Sequence, residues 1–186
     1  QCPRAWRNYA RPSAYADVRP CLQRAWSGWT GDRFNAPSIA SGMPVHLTVL
    51  YPFVSPSELN DGVYATVAAV ASRHGELAFA LSTISQFPGG FVCLDPDPAA
   101  PVDALMADLW AAFPDYPPYG GEIVRPHPHV TVGKADPAAD APELATTIEH
   151  VIRDHRPYHY TVAALTVMAR DDAGAWRPLR TVPLTG

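Results

Sequence analysis

Only 17% of this chain is charged, and its three cysteines, Cys2, Cys21 and Cys93, form no Cys-x-x-Cys pair. An odd count without paired spacing leaves no legible zinc ribbon or disulfide framework, so the thiols read as free and the compartment as the reducing cytoplasm. No apolar run approaches the roughly 18 residues of a membrane span. The opening Gln1-Cys2-Pro3-Arg4-Ala5-Trp6 lacks the hydrophobic core of a secretory signal. The formal net charge of -4 at pH 7 argues against long nucleic acid, whose non-specific binding needs a basic surface. A nucleotide or an RNA end is the partner to expect, taken by a monomer. Neither a Walker loop nor a GxGxxG turn occurs, so no cofactor of the nucleoside triphosphate or dinucleotide type is indicated.

What is abundant is apolar surface and proline. Hydrophobic residues make up 47% of 186 positions, enough for one domain or two small lobes sharing a core. The 21 prolines cluster at 96–101, 114–118 and 126–128, which signals ordered loops.

Within this background one pattern occurs twice: His46-Leu47-Thr48-Val49 and His129-Val130-Thr131-Val132. Each copy lies in a short apolar run that reads as a buried strand. Residues i and i+2 of a strand share a face, so each imidazole stands beside a hydroxyl while the aliphatic side chains turn into the core. Two His/Thr pairs suggest acid–base chemistry without a metal. One neutral imidazole takes a proton while the other, as imidazolium, gives one, because histidine titrates near working pH. The hydroxyls of Thr48 and Thr131 can donate to phosphoryl oxygens. No Ser or Cys nucleophile accompanies either histidine, which favours phosphoryl over acyl transfer. The plain alternative is a pair of satisfied core histidines.

From about Gly31 to its end the chain resembles the 2H phosphoesterases, and within them the 2′-5′ RNA ligase-like proteins. The resemblance is carried by Gly42-Met43-Pro44-Val45-His46-Leu47-Thr48-Val49-Leu50-Tyr51-Pro52-Phe53, by Phe113-Pro114-Asp115-Tyr116-Pro117-Pro118-Tyr119-Gly120-Gly121, by Pro128 through Val132, and by the closing 176–184 segment. It implies an α+β fold of two antiparallel sheets with outer helices and a central cleft. It also implies that His46 and His129 act as acid and base while Thr48 and Thr131 hold the phosphate. Metal-free cleavage or formation of 2′-5′ linkages, or opening of 2′,3′-cyclic phosphates, is the activity it implies.

The two motifs stand 83 residues apart, and other features repeat at that offset. A Ser57-led helix to about His74, closed by Gly75, precedes strands near 77–86 and 90–94. A helix from Asp140 to about His155, opened by a capping box from Asp140 to Glu143, precedes strands near 158–169 and 175–184. A turn at Asp171-Asp172-Ala173-Gly174 makes the last two a hairpin. Amphipathic helices near 18–29 and 101–112 come before each motif. A single domain over 1–186 is expected, built of two pseudo-symmetric lobes of approximately 14–100 and 101–186.

Further residues are candidates for substrate contact. Tyr51 and Tyr119, with Phe87 and Phe91, could stack on a base; core and loop packing is the preferred reading for the phenylalanines and an equal one for the tyrosines. Lys134 follows the second motif and could meet a phosphate or simply be solvated. His127, with His46 and His129, could form a three-imidazole metal site, but that leaves both threonines unexplained, and no metal is expected; His127 reads instead as a cleft-edge residue. His150, His155 and His159 complement a helix end. The rival functions are a non-catalytic nucleotide-binding module and a metal-dependent hydrolase.

Overall fold

The computed structural model describes residues 13–17, 42–123, 125–153 and 158–186. Among them run eight strands: β1 (Ser13–Asp17), β2 (His46–Leu50), β3 (Leu77–Phe87), β4 (Phe91–Asp97), β5 (Val130–Lys134), β6 (Tyr158–Val162), β7 (Ala164–Arg170) and β8 (Trp176–Pro183). Their spatial order is β6-β3-β4-β5-β2-β1-β7-β8, with antiparallel neighbours throughout. The two antiparallel sheets expected are the sets β6-β3-β4-β5 and β2-β1-β7-β8, and they meet where β2 pairs with β5, Leu47 opposite Val130. Each set draws strands from both ends of the chain. The stretch expected as one strand over 158–169 is broken at Ala163: β6 serves one edge and β7 the other set. A single residue thus links the first and seventh positions of the order, so the sheet must curl round on itself.

Among the described residues three α-helices, α1 (Asp61–Ala71), α2 (Ala100–Ala112) and α3 (Ala141–Ile152), pack on the face opposite the histidines. On α2 the buried Val102, Leu105, Met106 and Leu109 recur at helical spacing, and Pro101 in the first turn suits the start. The helix expected from Ser57 begins instead after Asn60, whose Oδ1 accepts from Gly62 N (2.9 Å) and Val63 N (3.1 Å); two capping bonds outcompete a serine already engaged with Ser55. The capping box at Asp140 does not form, because a 3-10 turn over Ala138–Asp140 leads into α3 and Asp140 makes no side-chain cap bond. The helix ends at Ile152, and the expected 18–29 helix, Cys2, Cys21 and His155 lie outside the described residues. Gly133 on β5 lets α3 close on the sheet: a Cβ there would stand 3.0 Å from Ile148 Cδ1 and 3.1 Å from Leu144 Cδ2. The 171–174 turn is as expected, with Asp171 Oδ1 accepting from Ala173 N and Ala175 N. Among the described residues no helix is long and apolar enough to cross a membrane.

Candidate active site

At the central pair, Leu47 and Val130 are both fully buried and face the helices. Alternation then turns His46, Thr48, His129 and Thr131, all half-exposed, to the other side. Extending the Leu47–Val130 register one residue each way sets His46 opposite Thr131 and Thr48 opposite His129. Such cross-strand neighbours have Cβ atoms about 5 Å apart and diagonal ones about 7–8 Å. The two imidazoles occupy one diagonal of this rectangle and the two hydroxyls the other. The fold thus brings all four motif residues together on one face.

Both imidazoles are oriented the same way. His46 Nδ1 lies 2.7 Å from the Pro44 carbonyl, and His129 Nδ1 lies 2.9 Å from the His127 carbonyl. A carbonyl only accepts, so Nδ1 carries the proton in each ring and Nε2 carries the lone pair of the neutral imidazole. Burial pushes the His129 imidazole below its usual range, with the neighbouring His127 adding to this; the bond to the His127 carbonyl and the Asp95 charge pull the other way.

Beyond each threonine the strand carries one extra residue. Tyr15 pairs with Thr48 and Ala14 with Leu50, so Val49 has no partner on β1. Cys93 pairs with Thr131 and Val92 with Gly133, so Val132 has none on β4. Both extra valines and the residues after them are buried. An inserted residue reverses the alternation, which returns Tyr51 and Lys134 to the face of the histidines. Strict alternation would have sent both into the core. The carbonyl of Val49, freed from the ladder, accepts the Trp110 indole N–H at 2.9 Å, pinning α2 to β2.

Tyr119 joins Tyr51: its backbone N–H donates to the Tyr51 carbonyl at 2.6 Å. Its φ of 52 is left-handed, a conformation a bulky residue holds only under constraint. Burial, with Cys93 and Tyr51 nearby, pushes its hydroxyl up to about 12. Lys134 Nζ lies 5.2 Å above the Phe91 ring. Phe87 packs on both His127 and His129, with centroids 4.8 Å and 4.6 Å away, so these phenylalanines serve the site face and not the core. His127 is exposed at its edge, and His150 lies in the last turn of α3.

The sequence reading did not place Ser85, Cys93 or Asp95 at the site. Cys93 Sγ lies 3.6 Å from Thr131 Oγ1; burial pushes this free thiol up to about 12, so it stays protonated. Asp95 accepts from Ser85 Oγ at 2.7 Å and lies 3.4 Å from His127 Nε2. Cys93 and Asp95 have the same i, i+2 spacing as the motif, but without their strand partners that spacing carries no message. Among the described residues no three His, Cys, Asp or Glu side chains converge as a metal-binding group.

The sequence model of the 2'-5' RNA ligase superfamily matches residues 16–174. Among solved structures, E. coli LigT complexed with NADP+ is similar at 20% identity and a TM-score of 0.57, covering 95% of this chain and 98% of that one. A structure described as a phosphoesterase gives 21% and 0.59, with 95% and 99% covered. TT0787 of Thermus thermophilus gives 15% and 0.57, with 95% and 98% covered. No curated protein matches the chain.

Proposed function

The chain belongs to the 2'-5' RNA ligase superfamily and is a 2H phosphoesterase, and from this premise we propose that it acts on 2′,3′-cyclic phosphates or 2′-5′ phosphodiesters by metal-independent two-histidine catalysis. The observation that carries the reading is the rectangle of His46, Thr48, His129 and Thr131 across β2 and β5. A phosphate seated over it has an imidazole Nε2 on either side of the phosphorus, as in-line displacement requires, and a hydroxyl donor for each non-bridging oxygen.

In ring opening, burial suits His129 to the role of base, and His46 supplies the acid. Water gives a proton to His129 Nε2 as its oxygen bonds to phosphorus; the ribose oxygen leaves and takes the proton of His46 Nε2. Thr48 and Thr131 donate to the charge that builds on the non-bridging oxygens. The Cys93 thiol against Thr131 Oγ1 orients that hydroxyl. Tyr51 and Tyr119 form the nucleoside side of the site, and Lys134 meets the phosphate. The 3'-AMP and NADP+ complexes of E. coli LigT support a nucleotide-sized substrate.

The test is a panel of 2′,3′-cyclic nucleotides, 2′-5′ dinucleotides and cyclic dinucleotides, assayed with EDTA present. Turnover of at least one of the first two classes is expected. Loss of all activity on chelation, restored by zinc, would transfer the assignment to a metallohydrolase.

A further inference from the structure

Ser85, Asp95 and His127 lie beside His129 and take no part in the chemistry above. Ser85 Oγ donates to Asp95 Oδ1 at 2.7 Å, and His127 Nε2 approaches the same oxygen at 3.4 Å. The His127 carbonyl accepts from His129 Nδ1 at 2.9 Å. A chain of hydrogen bonds thus runs from β3 through β4 to the imidazole. Phe87 packs against both rings, and the two imidazoles meet edge to face at 5.9 Å.

The other histidine is held differently. The carbonyl that accepts from His46 Nδ1 belongs to Pro44, whose ring restricts its own backbone. His127 lies outside regular structure and is exposed, with Pro128 after it limiting its backbone to extended conformations. Its ring packs on Phe87 and meets His129 edge to face, and its side chain's hydrogen-bond contact is with Asp95.

We propose that Asp95 is a positioning residue: by tethering the His127 side chain it holds the backbone carbonyl that fixes the tautomer and orientation of His129. The catalytic part of this inference rests on the two-histidine reading of the site. The tether is a matter of hydrogen-bond acceptance. Asparagine, which keeps an acceptor oxygen at the same reach, should replace aspartate; alanine should not.

The experiment compares Asp95→Ala and Asp95→Asn by steady-state kinetics on a 2′,3′-cyclic nucleotide and by ¹⁵N NMR of the histidine rings. Asp95→Ala is expected to lower kcat about 10- to 100-fold with KM little changed, the scale of a misoriented catalytic group. Asp95→Asn is expected to recover most of that loss. In the spectra, His129 should pass from a single Nδ1–H tautomer to a mixture in Asp95→Ala, while His46 keeps its signature. An unchanged kcat and an unchanged His129 tautomer in Asp95→Ala overturn the proposal, and so does an asparagine variant as damaged as the alanine one. Should the unsubstituted protein open no cyclic phosphate, the proposed function fails by itself, and the His129 tautomer in the two variants still decides the tether.

Discussion

Removing the two imidazoles one at a time and together tests the central rectangle most directly. In the proposed mechanism each supplies a positioned acid or base, worth about 10²–10⁴-fold, or roughly 2.7–5.4 kcal/mol of barrier at 1.36 kcal/mol per decade. His46→Ala and His129→Ala should each fall in that range. Since one proton arrives as the other departs, His46→Ala/His129→Ala should lose little more than the worse single variant, not the product of the two. The assay is ring opening of a 2′,3′-cyclic nucleotide followed by ³¹P NMR from pH 4 to 9 with EDTA, and circular dichroism confirms the fold of each variant. The unsubstituted protein should give a bell-shaped profile. Its acidic limb reports the base; burial holds His129 below its ordinary range, so that limb should lie below the usual histidine value of about 6.5 and vanish in His129→Ala. Full activity in either single variant, or losses that multiply, would mean that these histidines are packing residues.

Three further outcomes follow from the same geometry. Thr48→Val and Thr131→Val should each cost kcat/KM about 1.5–3 kcal/mol, one charge-directed hydrogen bond, measured on the same substrate. Gly133→Val should lower stability by at least about 1–3 kcal/mol in a urea titration, because even its first carbon falls 3.0 Å from Ile148. Stability should also fall on acidification: with the folded-state His129 depressed, the unfolded chain binds that proton first, so the contribution present above pH ~6.5 is lost as pH drops through the folded value. Comparing urea midpoints of the unsubstituted protein and His129→Gln at several pH values isolates this term.

The paired His-x-Thr-x strands were legible because alternation on a half-buried strand is a local rule, and the α2 helix because its proline and apolar spacing are local too. What was missed depended on partners. Asn60 displaced Ser57 as the cap through bonds to the backbone of nearby residues in the first turn. The break at Ala163 exists because two different sheet edges compete for one extended stretch. Tyr51 and Lys134 were named as candidates, yet nothing in the sequence turned them toward the histidines. That depends on Val49 and Val132 finding no partner on β1 and β4. Cys93 and Asp95 gain meaning only once β4 lies beside β5.

Those two unpaired valines also give the molecule a polarity. A rectangle of two histidines and two threonines is nearly unchanged by a half-turn, so on its own it would accept a phosphodiester in either sense. The bulges deliver a phenol at one end, Tyr51, and an ammonium at the other, Lys134, and the half-turn no longer maps the site onto itself. On the proposed reading, left and right become distinguishable to a substrate without any change in the two His-x-Thr rows. On the proposed reading, exchanging the two end residues offers a route to reversing the sense of binding, and a reversed substrate would call on His129 as the acid and His46 as the base.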